Sequence, residues 1–207
     1  MSTTLASEIP RLKRIAARGR PRHLNMPRAA NGFLCRAAIA PLENPMEHPA
    51  ATIASTRGEF QRLMMPTDAN PMGNVYGGSI MKYLDEVASV IAIRHCRTNT
   101  VTASIDRMDF YHPVYIGNLL VMKGALNYVG TTSMEVGVRV EAEDMKTGKR
   151  LHTGSCYLTM VSLDQWGKPT AAPKVQPSDD EEKAWYEGAQ RRRSARKKER
   201  AHQPDDP

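Results

Sequence analysis

The stretch GGSIMKYLDEVASVIAIRH, residues 77–95, decides the fold. Its apolar residues recur on one face at helical spacing, namely Ile80, Leu84, Val87, Ala88 and Ile91. Positions i, i+4, i+7, i+8 and i+11 share one side of an α-helix, so the spacing predicts an amphipathic helix from Ser79 to about His95. A loop rich in glycine, asparagine and proline precedes this helix, and Thr98-Asn99 follows it.

Downstream of the helix the apolar period changes to two. From Met134 to Glu143, apolar side chains alternate with polar side chains or glycine, which is typical of a half-buried strand. Residues 60–65, 101–110, 118–128 and 150–163 are also predicted to be strands. The loops after the helix are short, and short loops join antiparallel neighbours because a parallel crossover needs roughly a dozen residues. The sequence therefore predicts an α+β fold with one long central helix packed on an antiparallel sheet.

The net charge of +7 is concentrated at the two ends of the chain. Residues 1–44 carry +6 and residues 191–207 carry +4, whereas residues 45–190 sum to −3. Because the central part has no basic surplus, we expect no nucleic-acid partner. The predicted organisation is an extension at 1–57, a globular domain at 58–170, and a linker with a basic C-terminal helix or tail at 171–207.

The Arg-rich extension leaves two interpretations open. Its composition resembles an organelle transit peptide, which would place the protein in mitochondria if residues 1–45 direct import. The alternative is a cytoplasmic protein in which the segment is either a disordered extension or upstream sequence included by an early start codon, with Met46 as the true start. No apolar run approaches the roughly 20 residues of a membrane span. Three widely spaced cysteines, without a CxxC pair, suit a reducing compartment and no metal site.

The junction between the polar loop and the helix is the candidate site. Gly77 and Gly78 open the helix with backbone N–H groups that no Cβ covers, so an oxyanion can approach them. Asp85 lies mid-helix among small and apolar neighbours, where partial desolvation would make its carboxylate a stronger base. Eight residues separate Gly77 from Asp85, about 12 Å along a helix. If both act on one substrate, two antiparallel helices must face each other in a homodimer with shared sites.

The same residues resemble a known family. Met65-Pro66-Thr67-Asp68-Ala69-Asn70, Gly73-Asn74-Val75-Tyr76-Gly77-Gly78 and Met81-Lys82-Tyr83-Leu84-Asp85-Glu86-Val87-Ala88 resemble the hotdog-fold acyl-CoA thioesterases of the acyl-CoA hydrolase type. That family includes the vertebrate brain acyl-CoA hydrolase and bacterial YciA-like enzymes. The resemblance runs from Leu63 to Val161. It implies a hotdog fold, hydrolysis of acyl-CoA to fatty acid and CoA without a further cofactor, and dimers that often assemble into hexamers.

The resemblance also implies roles for individual residues. In such enzymes an aspartate, here Asp85, attacks the thioester carbonyl or activates water, while the Gly77 amide holds the oxyanion and Asn70 positions the reacting groups. Ser89 matches a hydroxyl near the attacking water in some relatives. Substrate contacts are expected from four further residues, Asn74, Gly78, Thr132 and Ser133. In the turn at 130–133, Thr stands where some bacterial relatives have Arg, so a CoA phosphate contact is missing or supplied elsewhere.

Three alternatives compete with a thioesterase. One is a non-catalytic hotdog protein that binds acyl-CoA, which an apolar residue in place of Asp85 would have favoured. Another is nucleic-acid binding through the basic ends, which interleaved aromatics would support; Trp185 and Tyr186 lie near the C-terminal end. The third is a hotdog dehydratase, although no histidine lies between Asn74 and Ala92. No GxSxG elbow marks a serine esterase.

Overall fold

The predicted helix is the central element of the fold. The computed structural model describes residues 51–202, in which helix α1 spans Gly77–Cys96. It begins and ends slightly outside the predicted limits, since Tyr76 is the N-cap and Arg97 turns into the left-handed region with φ of 57°. The apolar face identified in the sequence is buried along its length.

A five-stranded antiparallel sheet packs against α1, in the order β2-β4-β5-β6-β3. Its strands are β2 (Gly58–Leu63), β3 (Asn99–Ile105), β4 (Asn118–Val129), β5 (Ser133–Asp144) and β6 (Arg150–Leu163). Two short strands, β1 (Ala51–Thr52) and β7 (Val175–Gln176), form a separate parallel pair. This arrangement confirms the predicted α+β class and the antiparallel connections.

One predicted strand is shorter than expected. Residues 101–110 were predicted to be extended, but β3 ends at Ile105. Beyond that point two isolated backbone bonds still reach β6, from the Asp106 N–H to the Tyr157 carbonyl at 2.9 Å and from the Tyr111 N–H to the Thr153 carbonyl at 2.8 Å. At the point where regular pairing ends, the Asp106 carboxylate forms an ion pair with Arg196 of the C-terminal helix, 2.5 Å away.

Close packing between helix and sheet depends on a glycine in β4. A Cβ built on Gly124 would lie 2.6 Å from Cδ1 of Ile91, which is inside the van der Waals limit. The missing side chain lets Ile91 reach the sheet, where it is only 4% exposed. Burying a side chain of this size contributes roughly 1.5–3 kcal/mol.

The second helix, α2 (Asp180–His202), covers part of the outer face of the sheet. The rings of Tyr186 and Tyr128 meet edge to face with centroids 5.1 Å apart. Arg192 and Arg196 both pair with the buried carboxylate of Glu135, at 2.6 and 2.8 Å. The basic end of the predicted C-terminal helix is therefore partly held against the sheet by ion pairs.

Elements on both sides of the predicted 58–170 domain pack onto it. β1 and β7 lie outside those limits, and so does α2. The domain limits stay a prediction, and residues 1–50 of the predicted extension lie outside the described part of the chain. Within residues 51–202, no helix is long and apolar enough to span a membrane.

Candidate active site

The loop before α1 is anchored by a buried carboxylate. Asp68 is 5% exposed, and its Oδ1 accepts a hydrogen bond of 2.5 Å from the Tyr83 hydroxyl. Its Oδ2 accepts another, of 3.0 Å, from the Met65 N–H. These two bonds hold the pKa of Asp68 below its ordinary value, and the same carboxylate raises the pKa of Tyr83. These bonds thus hold the loop against α1 at Asp68, two residues before Asn70.

The side-chain amide of Asn70 accepts hydrogen bonds within the loop through its oxygen, while its nitrogen is unpaired in the described structure. Its Oδ1 accepts hydrogen bonds from the N–H groups of Met72 and Asn74, at 2.8 and 3.2 Å. Its own N–H donates to the Asn74 carbonyl at 2.6 Å. The two bonds to Oδ1 orient the side chain, and the side-chain NH₂ group has no partner among the described residues. Asn70 is therefore both a turn residue and an available hydrogen-bond donor.

The start of α1 presents two unpaired amides. The first backbone bonds of the helix run from the N–H groups of Ser79 and Ile80 to the Tyr76 carbonyl, and no side chain caps the helix. The N–H groups of Gly77 and Gly78 thus have no partner in the described chain, as expected for the first helical residues. A Cβ on Gly77 would lie 3.3 Å from the Phe110 ring, whereas Gly78 faces open space. An oxygen that carries negative charge can approach these donors.

Asp85 is held by a residue that the sequence did not single out. The Thr102 hydroxyl of β3 donates to Asp85 Oδ1 at 2.5 Å and lies 3.4 Å from the Met160 sulfur. Asp85 is half-buried, and its Oδ2 has no hydrogen-bond donor among the described residues. The alternation along β3 could have indicated that Thr102 faces the helix. Its pairing with a residue 17 positions away could not be read from that pattern.

The other predicted site residues divide into two groups. Ser89 lies one turn after Asp85 on α1, half-buried, and its hydroxyl has no hydrogen-bond partner in the described structure. Thr132 and Ser133 lie at the turn between β4 and β5, where the Thr132 carbonyl accepts the Ser162 N–H at 2.9 Å. Ser133 lines a cavity of about 230 Å³ beneath Arg193 of α2, on the outer face of the sheet. Within one chain, this turn does not join Asp85.

Asn70 and Asp85 also belong to different parts of the chain's surface. Asn70 lies in the loop that precedes α1, while Asp85 lies more than two turns into the helix. Asn74 and Gly78 stay close to Asn70 and Gly77 in sequence and structure. The described residues contain no group of three side chains able to hold a metal ion. The arrangement offers a carboxylate at one place and N–H donors at another.

Several known proteins are similar to this chain in sequence. Residues 72–149 match the thioesterase superfamily. Protein VdlD of Helicobacter pylori is 45% identical over 153 residues, which cover 74% of this chain and 87% of that protein. A Bacillus subtilis protein described as an uncharacterized acyl-CoA thioester hydrolase, YkhA, is 40% identical over 67% of this chain and 81% of its own length. The rat cytosolic acyl coenzyme A thioester hydrolase is 34% identical over 82% of this chain, but the match spans 44% of that longer protein.

Solved structures of acyl-CoA thioesterases have a similar fold. The crystal structure of an apo-hexameric acyl-CoA thioesterase is 40% identical with a TM-score of 0.71, covering 74% of this chain and 99% of that one. An acyl-CoA hydrolase from Staphylococcus aureus, solved with butyryl coenzyme A and coenzyme A, is 36% identical with a TM-score of 0.69, covering 74% and 93%. Fold and site together define a hotdog thioesterase. The chain belongs to the acyl-CoA thioester hydrolases of the thioesterase superfamily, which confirms the resemblance found in the sequence.

The Staphylococcus aureus enzyme was also solved with single alanine substitutions of an asparagine, an aspartate and a threonine. In that protein the aspartate follows the asparagine by fifteen residues, and the threonine follows the aspartate by seventeen. The same spacings separate Asn70, Asp85 and Thr102 in this chain.

Proposed function

We propose that this protein hydrolyses acyl-CoA thioesters to a free carboxylic acid and CoA, with Asp85 as the base or nucleophile. The observation that carries the proposal is the hydrogen bonding of this carboxylate. Thr102 fixes one oxygen by a 2.5 Å hydrogen bond, and the other oxygen is left without a donor. A carboxylate oriented in this way is prepared to act on a substrate or a water molecule.

The chemistry needs an oxyanion site as well as a base. Attack on a thioester carbonyl moves a pair of electrons onto its oxygen, and N–H donors aimed at that oxygen stabilise the transition state. The unpaired amide of Gly77 and the free NH₂ of Asn70 are the donors that the chain provides for this role. Either Asp85 removes a proton from the attacking water, or it attacks directly and water then cleaves the resulting anhydride. In the first route the proton held by Asp85 passes to the departing sulfur, and in the second the CoA thiolate leaves and takes a proton from water.

The donors and the base come from two subunits in this proposal. Along α1, Gly77 and Asp85 are about 12 Å apart, too far for one carbonyl to touch both. A second copy with an antiparallel helix brings its own donors to Asp85. The outer edge of β3 supports such a pairing, since within residues 51–202 this strand pairs only with β6 and exposes Val101 and Ile105. We propose a homodimer with shared sites, assembled into a hexamer like the hexameric relative.

Three finer points belong to the same proposal. Ser89 is expected near the attacking water, and four residues are expected to contact substrate: Asn74, Gly78, Thr132 and Ser133. CoA enters as part of the substrate, and every reacting group comes from the chain or from water. We place the activity in the cytoplasm, in line with the rat relative described as cytosolic. Import into mitochondria through residues 1–45 is the alternative.

The test is steady-state hydrolysis of an acyl-CoA series from acetyl to stearoyl, with the released thiol detected. Turnover of at least one member by the wild-type chain, and its loss in Asp85→Ala, is the expected result. Binding of acyl-CoA without any release of thiol would replace this proposal with the non-catalytic acyl-CoA-binding protein.

A further inference from the structure

The Glu135 carboxylate on β5 is almost completely buried, and two arginines of α2 hold it. Its side chain is 3% exposed. Arg192 donates to Oε1 at 2.6 Å and to Oε2 at 3.3 Å, and Arg196 donates to Oε2 at 2.8 Å. A carboxylate in the protein interior needs charged partners of this kind, because an unpaired buried charge is strongly unfavourable. Glu135 therefore anchors the middle of α2 to the sheet.

Arg196 also pairs with a second carboxylate, at the end of β3. Its Nη1 donates to Asp106 Oδ2 at 2.5 Å, while its Nη2 donates to Glu135. The side chains of Arg196 and Asp106 are 19% and 21% exposed, so water and salt screen this ion pair less than a pair on the open surface. One guanidinium thus joins β3 to β5. We call these three residues, Asp106, Glu135 and Arg196, the strand clamp.

The strand clamp crosses β6, which lies between β5 and β3 in the sheet. On β6 the Tyr157 ring stacks against the Arg192 guanidinium, whose Cζ is 3.6 Å from the ring centroid. The Tyr157 carbonyl accepts the Asp106 N–H at 2.9 Å. Asp106 is therefore held twice, by its backbone to β6 and by its carboxylate to α2.

The pairing of β3 with β6 is irregular just before Asp106. The register between the two strands shifts between Thr102 and Ser104, and regular pairing ends at Ile105. A bulge of this kind leaves a residue unpaired and bends the strand. Ser104 and Ile105 are thus the two paired residues between the bulge and Asp106. The strand clamp adds a side-chain anchor where the backbone pairing is weakest.

Thr102 lies on the other side of this bulge and holds Asp85. Four residues separate it from Asp106, about 13 Å along an extended strand. Its hydroxyl donates to Asp85 Oδ1 at 2.5 Å. A hydrogen bond is lost once donor and acceptor are more than about 3.5 Å apart. A displacement of β3 by roughly 1 Å therefore breaks the bond that orients the carboxylate.

We propose that Arg196 is a positioning residue for the reaction. Through Asp106 it fixes β3 in the place where Thr102 can hold the Asp85 carboxylate. The inference rests on the proposed function of Asp85, and it makes α2 a part of the catalytic unit as well as a cover for the sheet. Arg196 donates to Asp106 and Glu135, so its effect on Asp85 is transmitted by the strand.

Two substitutions break the strand clamp from opposite ends. Arg196→Gln removes the guanidinium, whereas Asp106→Asn removes the carboxylate of the strand and leaves both arginines on Glu135. Arg191→Gln is the matched control, since it removes an arginine of the same helix that is 73% exposed. We expect kcat to fall about 10-fold in both clamp variants with KM unchanged, because a misplacement of about 1 Å can cost up to 100-fold. The control should keep the wild-type kcat.

A double-mutant cycle with Thr102→Val tests the route of this effect. If Arg196 acts through the Thr102 hydrogen bond, Arg196→Gln should cause less than about a twofold further loss of kcat in the Thr102→Val protein. Independent effects would multiply instead. Multiplied losses, or a wild-type kcat in both clamp variants, would overturn the proposal.

Amide hydrogen exchange of the assembled protein separates this proposal from the proposed function. Both clamp variants should exchange faster than wild type in β3, residues 99–105, and at the wild-type rate in β4, residues 118–129. If the proposed function fails, Asp85→Ala keeps its activity although exchange in β3 still responds to the clamp variants. If the strand clamp fails, exchange in β3 is unaltered in an enzyme whose activity requires Asp85.

Discussion

Thr102 Oγ1 donates a 2.5 Å hydrogen bond to Asp85 Oδ1, which joins the edge strand of the sheet to the middle of the central helix. The bond sets the orientation of the carboxylate and occupies only one of its oxygens. The other oxygen faces no donor in the described chain. A strand residue therefore positions the group that we propose to react, while the helix carries it.

Replacing Asp85 with Asn should remove most turnover and leave the fold intact. A general base or nucleophile commonly contributes about 10²–10⁴-fold, and the amide has no basic oxygen to replace it. The measurement is kcat for the preferred acyl-CoA, with circular dichroism and oligomer mass as controls. Near-normal activity in a folded Asp85→Asn protein would show that the carboxylate is not the reacting group.

Removing the Thr102 hydroxyl should weaken catalysis without removing it. Thr102→Val keeps the shape of the side chain but loses the bond to the carboxylate, and hydrogen bonds to charged groups contribute about 1.5–3 kcal/mol. We expect kcat to fall roughly 10- to 100-fold, with KM nearly unchanged. Thr102→Ser, which restores a hydroxyl, should recover most of the activity. If Val and Ser variants behave alike, the hydrogen bond has no part in the reaction.

The fold could be predicted largely because its signals are local. The period of apolar residues from Ile80 to Ile91 defined the central helix, and the alternation around Met134–Glu143 defined a strand. The end of β3 was missed because Ile105 is followed by Asp106, whose ion-pair partner Arg196 lies 90 positions away. Local periodicity contains no information about such an ion pair.

The candidate site was predictable in part for the same reason. Asp85, Gly77 and Asn70 stand out through their position in a helix, at its start and before a proline. Thr102 stands in an ordinary strand, and only the packing of β3 against α1 brings it to Asp85.

The bond between Tyr83 and Asp68 should stabilise the fold in a pH-dependent way. Asp68 has a lowered pKa in the folded protein, so its stabilisation is complete above the ordinary value near 3.8 and is lost as pH falls through the lower, folded value. Tyr83→Phe should reduce the free energy of unfolding at pH 7 by about 1–3 kcal/mol. The deficit should shrink in strongly acidic solution, where Asp68 becomes protonated in both proteins.

Urea unfolding at pH 7 and in acid, at fixed protein concentration, measures this effect. Tyr115→Phe is the matched control, since Tyr115 is 53% exposed and its hydroxyl has no partner in the described structure. A Tyr83→Phe deficit that is equal at both pH values would mean that lost packing, and not the bond to Asp68, is responsible.

Deleting residues 1–45 should change neither the hydrolysis rate nor the oligomer mass. The segment lacks the apolar periodicity of a core-forming element, and the described residues 51–202 bury a hydrophobic core of their own. The measurement is kcat/KM together with the mass by light scattering. Failure of the shortened chain to fold would assign this segment a structural role, whereas full activity with loss of organelle import would identify it as a transit peptide.

The shared active site can be tested by complementation between two inactive variants. In our proposal Asn70 stays with Gly77 of its own chain and acts opposite Asp85 of the other chain. Asn70→Ala and Asp85→Ala subunits are dissociated, mixed and reassembled. A hybrid dimer then contains one site with both substitutions and one site with neither.

Random mixing makes about half of the dimers hybrid, and each hybrid has one intact site, so activity should return to about a quarter of the wild-type value. Each variant reassembled alone is the control and should stay inactive. Native mass spectrometry verifies that hybrids form, because the two variants differ in mass. Confirmed hybrids without any recovery of activity would place Asn70 and Asp85 in the same subunit's site, and the oxyanion donor opposite Asp85 would then have to come from its own chain.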